Sequence, residues 1–266
     1  MELINQTIFL GKKLLFKALS TEQYLRFLSN SFLKAYKLGI LKKRFPQHYF
    51  VKNLIDRGDY IIDIGANLGY YSCPCSLATG KEGKVFSIEP VSLFCEVLNK
   101  NLKRFSSAKN FEIKNVALGS TEEHGKELFM GIFIKNGIFR HGLTRVVDQD
   151  ENCYMRFKTK MQCPDILFKD LNKLNFIKCD VEGYETHIIP FFKTIIEKFH
   201  PKIQIEISTK ENYDIIKDIL SKAGYSCYIL TNHRLRKANS YSANFGDLYF
   251  IHNQDDILES KHNLFE

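Results

Sequence analysis

The stretch Asp63-Ile64-Gly65-Ala66-Asn67-Leu68-Gly69 follows the apolar run Tyr60-Ile61-Ile62 and precedes a segment that reads as a helix. An apolar run closed by glycine is the pattern of a strand buried on both faces of a parallel sheet. The glycine-rich turn lets backbone approach a ligand closely, and the helix N-terminus beyond it suits a carboxylate. Asp63, at the strand tip, suits a nearby cation. A dinucleotide fingerprint would need G-x-G-x-x-G, but Asn67 stands where the middle glycine belongs. A ligand carrying an amino acid moiety, one cation and one carboxylate, fits this turn better than a pyrophosphate.

Working outward, Val85-Phe86-Ser87-Ile88-Glu89-Pro90 reads as the second strand. A carboxylate at Glu89 can accept hydrogen bonds from both hydroxyls of a ribose and would repel a 2′-phosphate. An amino acid at one end and a ribose at the other describe S-adenosylmethionine (SAM). Helices are predicted over 68–78 and 92–105, the first ending near Gly80, with Pro74 expected to kink or shorten it. A third strand is predicted over 111–117. The rhythm breaks at 124–162, where Asn136-Gly137 marks a hairpin and an antiparallel insertion is expected to cover the site. Strands return at 176–180, 202–207, 225–230 and 248–251, with a helix predicted over 186–199. Seven strands interleaved with helices predict a doubly wound α/β fold with a mostly parallel sheet, binding its ligand at the carboxyl ends of the strands.

A third constellation, Phe176-Ile177-Lys178-Cys179-Asp180-Val181-Glu182-Gly183, puts Asp180 at a strand end and Glu182 in the turn beyond it. Both should face one crevice. The [D/N]-P-P-[Y/F] signature of N-methylation is absent. Carboxylates instead suit an acceptor hydroxyl, as general base or as orienting hydrogen-bond acceptors. Glu206, near the end of the next strand, is a substrate contact and could join Asp180 around a divalent cation, although the site is read as metal-free. Lys178, inside a buried strand, must pair with an acid. His141, in the insertion, is a substrate-contact candidate, and His187 reads as a helix-surface histidine.

The chain has 266 residues, 44% hydrophobic and 26% charged. That suits one domain with an appendage and excludes disorder; no apolar run approaches the roughly 20 residues of a membrane span. No secretory leader is read at the start. Seven cysteines without Cys-x-x-Cys spacing read as reduced thiols, hence a cytoplasmic protein. The net charge of +8 is not spread evenly: residues 1–52 hold ten bases against two acids, while the remaining 214 residues are balanced. That segment reads as a helical extension, with a capping box at Ser20 and Gln23, Leu25, Leu28, Phe32 and Tyr36 at helical spacing, and Gly39 closing it. It suits an accessory helical pair packed on the main domain (53–252), or a basic amphipathic surface in peripheral contact with anionic membrane at the inner face. Nucleic acid is disfavoured because the rest of the chain is neutral. Residues 253–266 form a tail.

Taken together, Asp63–Gly69 with Tyr70-Tyr71-Ser72, Phe86–Pro90, Asn115-Val116-Ala117-Leu118-Gly119, Phe176–Glu185 and Pro201–Glu206 resemble the FkbM family of SAM-dependent methyltransferases over roughly residues 50–252. The resemblance implies a Rossmann-like class I methyltransferase fold and O-methylation, often of a sugar, glycolipid precursor or other secondary-metabolite hydroxyl. It implies that Asp63, Gly65, Asn67 and Gly69 line the methionine end, that Glu89 takes the ribose, and that Asn115, Val116 and Ala117 lie beside the adenine. Asp180 and Glu182 would face the reacting centre. Two alternatives remain: a nicotinamide-dependent oxidoreductase, disfavoured by the missing glycine, and a non-catalytic docking module, which would have no need of the site carboxylates.

Overall fold

The structure, a computed structural model, describes residues 2–106, 109–139, 141–242 and 246–266. The first half of the chain gives the main sheet β1 (Tyr60–Ile64), β2 (Lys84–Ile88) and β3 (Phe111–Lys114). An insertion follows with β4 (Ala117–Leu118), β5 (Glu127–Ile132), β6 (Ile134–Lys135), β7 (Ile138–Phe139), β8 (Arg145–Val147) and β9 (Met155–Gln162). The chain then rejoins the main sheet as β10 (Phe176–Cys179), β11 (Lys202–Glu206), β12 (Tyr225–Thr231), β13 (Arg234–Lys237) and β14 (Asp247–His252). The main-sheet order is β13-β12-β14-β11-β10-β1-β2-β3. Strands β3, β2, β1, β10 and β11 pair in parallel, whereas β14, β12 and β13 are joined by antiparallel pairings.

The sheet is therefore eight-stranded and mixed among the described residues rather than seven-stranded, although five consecutive strands remain parallel as expected. The unforeseen strand is β13, a charged edge strand whose Arg234, Arg236 and Lys237 are exposed. It folds back on β12 through Asn232 and His233, both at positive φ (48° and 66°), a tight reversal made without glycine. Charged side chains on such an edge discourage pairing with another chain.

Chain order runs outward from β1 through β2 to β3, then restarts at β10 on the other side of β1. The strand order therefore reverses between β1 and β10, and the crevice at their carboxyl ends is where such sheets bind ligands. Alternation along the strands sorts the faces. Ile62 and Ile64 of β1, with Ile177 and Cys179 of β10, enter one core beneath Phe192 and Ile216. Ile61 and Phe176 enter the other, with Phe50, Val51, Leu54 and Tyr249. Asp63 and Lys178 share this second face, so a polar pair lies over an apolar floor.

The first helices, α1 (Glu2–Ala18) and α2 (Thr21–Lys37), precede the sheet, and α3 (Pro46–Phe50) leads into it. Ser20 and Gln23 form the expected reciprocal capping box at α2. Its buried stripe, Tyr24, Leu25 and Leu33, packs against Phe94, Val97, Leu98 and Leu102 of a later helix, α5 (Ser92–Phe105), with α4 (Ser72–Thr79) between them in sequence. Burying each large apolar side chain contributes about 1.5–3 kcal/mol. Glu22 also pairs with Lys100 of α5. The helix predicted from residue 68 begins only at Ser72, because Asn67 (φ 49°) and Gly69 (φ 92°) keep the turn left-handed. Pro74 thereby falls in the first turn of α4, where its missing N–H costs no helical bond. The helix expected over 186–199 is likewise broken, into two 3₁₀ turns and a helix at Lys193–Phe199, around Pro190.

Strands β5 and β9 pair antiparallel, as do β5 and β8, while β4 runs parallel to β9. Asn136 and Gly137 (φ 57° and 72°) turn the β6–β7 hairpin. The insertion is thus a second, four-stranded sheet with a hairpin appended. All seven cysteines are free. No helix among the described residues is long and apolar enough to cross a membrane.

Candidate active site

A cavity of about 690 Å³ opens at the carboxyl ends of β1, β2 and β10, within the range of small-molecule and cofactor sites. The turn after β1 forms one wall. Gly65 (φ 76°) packs against the backbone of Asp180, which itself donates its N–H to the Ile64 carbonyl at 3.1 Å. Ala66 and Asn67 continue this wall, and the side-chain Oδ1 of Asn67 is buried with no hydrogen-bond partner. An orphaned acceptor there invites a ligand donor.

Asp63 and Glu89 both line the cavity, although they are only 2% and 4% exposed. Asp63 accepts a hydrogen bond from Ser72 Oγ at 2.5 Å, and Ser72 in turn lies 2.8 Å from Ser87 Oγ. Burial pushes the Asp63 carboxyl up to about 6, against the opposing pull of Ser72 and the Lys178 ammonium. Glu89 ties the two turns together: its carboxylate oxygens accept from the backbone N–H groups of Asn67 and Val91, each at 2.9 Å. Burial still raises it to about 7. Beside it, Ile88, Pro90, Val116, Ala117 and Leu118 form an apolar slot.

Two predicted residues stand behind the wall. Asn115 turns its amide to the Glu89 carbonyl (2.9 Å), bracing the slot from outside. Gly69 serves helix packing, since a Cβ there would meet Leu98 and Cys73.

Across the cavity stand Asp180 and Glu182. Lys178, 1% exposed, lies 3.4 Å from Asp180 and 3.7 Å from Asp247, so its partners are the predicted Asp180 and the unforeseen Asp247. Burial alone would favour neutral Lys178, but the surrounding carboxylates outweigh it and hold it charged. Burial would also raise Asp180; the Lys178 ammonium overrides that and holds it below the usual carboxylate range. Glu182, in a left-handed conformation (φ 56°), is raised by burial and by the charge of Asp180. Glu206 is not part of the cavity wall; partial burial and the Asp180 charge push it up to about 8. Among the described residues no group of three or more His, Cys, Asp or Glu is placed to hold a metal ion.

His141 does line the cavity, with Gly142, Thr144, Arg145, Val146, Met130 and Met161 of the insertion, which therefore roofs it. His187 stacks on Tyr184 (ring centroids 4.4 Å apart) and is not part of the wall. The unforeseen contribution comes from the N-terminal extension. Phe32, Phe45 and His48 form a wall with Tyr70 and Tyr71, the His48 ring stacked on Tyr71 at 4.1 Å and the Phe32 ring 4.6 Å from Tyr70. Burial lowers His48 to about 4, so it is neutral near pH 7. Its ring nitrogens have no hydrogen-bond partner among the described residues. A lone histidine in a short helix carries no signal in sequence; here α3 brings it against Tyr71 and Phe32.

A family model, the methyltransferase FkbM domain, matches residues 63–227. The chain belongs to the FkbM methyltransferase family. The match covers every predicted site residue and leaves out His48, Phe32 and Phe45. Among solved structures, an FkbM methyltransferase from Methylobacillus flagellatus is 19% identical (TM-score 0.48), over 72% of this chain and 43% of that one. A SAM-dependent O-methyltransferase from Thermotoga maritima is 16% identical (TM-score 0.46), over 77% and 63%. Fibrillarin from Aeropyrum pernix, with natively bound SAM, is 10% identical (TM-score 0.44), over 74% and 68%. This FkbM chain thus spans less than two thirds of the length of the first two structures. No curated protein matches it.

Proposed function

We propose that this cavity binds SAM across the tips of β1, β2 and β3 and that the protein methylates a hydroxyl of a sugar, glycolipid precursor or other secondary metabolite. The observation that carries this reading is the placement of Asp63 and Glu89 at the tips of adjacent strands, in one cavity with Asp180 and Glu182, in a chain of this family. The residues fit the cofactor's chemistry. Asp63 and the orphaned Asn67 Oδ1 suit an ammonium group, and Glu89 a ribose diol. The apolar slot at Val116 and Ala117 suits a nucleobase.

When bound, SAM supplies a methyl group activated by its sulfonium sulfur. The protein holds the acceptor and handles one proton. Asp180, kept ionised by Lys178, accepts a hydrogen bond from the acceptor hydroxyl and orients it. Glu182, with its raised affinity for protons, takes the hydroxyl proton on its carboxylate as the new bond forms; a base poised nearer neutrality is more effective than one held strongly acidic. The roof and the aromatic wall exclude water, and positioning supplies much of the rate. His48, neutral and lining the same cavity, offers a hydrogen bond to the acceptor.

Calorimetric titration of SAM and of NAD into the full chain tests the binding half. SAM should bind and NAD should not, and Asp63→Ala and Glu89→Ala should each weaken SAM. NAD binding, or SAM binding untouched by both substitutions, would refute the placement. Incubating the protein with isotopically labelled SAM and cell extract, then locating the label by mass spectrometry, identifies the acceptor. A label on nitrogen or carbon would overturn O-methylation.

A further inference from the structure

We propose that the turn at residues 38–44 docks on an anionic lipid bilayer, and that the acceptor is a membrane-resident amphiphile whose hydroxylated head group enters the cavity beside this turn. The second half of this inference rests on the methyltransferase reading; the first does not.

Leu38 and Ile40 are 74% and 69% exposed. They are not fraying ends. The turn is closed by backbone hydrogen bonds from Leu38 to Lys34, Ile40 to Ala35, Arg44 to Leu41 and Phe45 to Leu41, with Gly39 (φ 75°) making the reversal. Around these two aliphatic side chains stand Lys34, Lys37, Lys42, Lys43 and Arg44, all exposed. None of the five has a carboxylate partner among the described residues. The acid of α2, Glu22, is engaged with Arg26 and Lys100 instead. A well-ordered tip of two large aliphatic residues set among unpaired cations matches the acyl boundary and phosphates of an anionic bilayer. An acidic protein would answer the cations but leave Leu38 and Ile40 in water.

The tip is also continuous with the cavity. Phe32 and Phe45, which flank it in sequence, meet edge to face at 5.2 Å and both line the cavity wall. Tyr36 and Tyr49 stack at 4.3 Å and exchange hydrogen bonds with the backbone of α2 and α3. This bracing fixes the tip relative to His48. A lipid-anchored acceptor could therefore reach Asp180 and Glu182 along an aromatic wall without leaving the bilayer.

The test is flotation of the full chain with vesicles of phosphatidylcholine alone, or with about a third phosphatidylglycerol, at roughly 0.1 M and 0.5 M salt. Binding to the anionic vesicles is expected, with little to the neutral ones, weakening at high salt. Leu38→Ser/Ile40→Ser and Lys42→Ser/Lys43→Ser/Arg44→Ser should each lower partitioning more than tenfold while keeping the wild-type melting temperature and SAM affinity. No binding to anionic vesicles, equal binding to both kinds, or variants that bind like wild type would overturn the docking surface. So would self-association that the Leu38/Ile40 variant abolishes in a chain that ignores vesicles, since the partner would then be a second copy. A chain that binds vesicles but not SAM keeps the surface and loses the enzyme reading; one that binds SAM but not vesicles does the reverse.

Discussion

A Cβ placed on Gly65 would lie 1.9 Å from the backbone carbonyl oxygen of Asp180. The turn after β1 and the strand end that carries Asp180 are thus in direct backbone contact, and moving one moves the other. Gly65→Ala must displace Asp180 and also occupy a left-handed backbone (φ 76°). Strain and overpacking together should cost about 2–4 kcal/mol, read by urea denaturation. Gly183→Ala is the control: its φ is 101°, but a Cβ there meets nothing within 4 Å. It should cost only about 1–2 kcal/mol.

On the proposed reading, Glu89 should make SAM affinity depend on pH. Its carboxyl is raised to about 7 by burial, so below that it is protonated and a poorer acceptor for ribose hydroxyls. SAM affinity should rise as pH increases through about 7, and Glu89→Gln should flatten that rise in calorimetric titrations. Stability of the ligand-free protein should move oppositely. A buried acid with a raised pKa binds more protons folded than unfolded, so its contribution is full below the unfolded value of 4.5 and is lost as pH climbs through about 7. Glu89→Gln should remove that loss from melting curves.

Much of this site was legible because acids that end strands announce themselves. Asp63, Glu89 and Asp180 each follow a short apolar run, and a parallel strand's tip must face the crevice at the carboxyl edge. The direction of an individual side chain between elements was not legible, and so Asn115 braces the slot rather than lining it. Nor was the eight-strand count, because Arg234-Leu235-Arg236-Lys237 has a single apolar residue to mark it as a strand. His48 lay further out of reach: it stands on α3, and its stacking on Tyr71 and contact with Phe32 join segments that no local pattern links.

Lys178 supplies a stability test. It is flanked by Asp180 and Asp247, and Asp247 also accepts hydrogen bonds from Tyr71 Oη (3.0 Å) and from Gln204. Lys178→Met would leave two carboxylates facing each other without a cation, costing about 3–5 kcal/mol. Adding Asp247→Asn should recover part of that loss, so the double variant should be more stable than the two single costs summed. Strict additivity in denaturant titrations would mean that the two groups do not interact.

His48 should matter to the acceptor rather than to the cofactor. His48→Ala opens the aromatic wall beside Tyr71, and kcat/KM for the acceptor should fall at least about tenfold, or ~1.4 kcal/mol. SAM affinity should stay within about twofold. Because burial holds His48 to about 4, its own titration should not shape the activity profile between pH 6 and 8. A wild-type inflection in that range that disappears in the variant would contradict this.

Only Asn115 and Val116 separate β3 from β4, and the insertion is laced down at its root by Gly119 to Gln162, Gly125 to Met161 and Met161 to Lys126 backbone bonds. A canopy riveted this close to the apolar slot at Val116 and Ala117 cannot swing away as one hinged flap without dragging Val116 with it. On the proposed reading, passage would rest on smaller movements of the His141–Leu143 turn, since Ile138 and Phe139 of β7 are buried against Phe16 and Phe94. A roof that holds its place would leave the standing shape of the cavity, rather than a closing motion, to select the proposed acceptor.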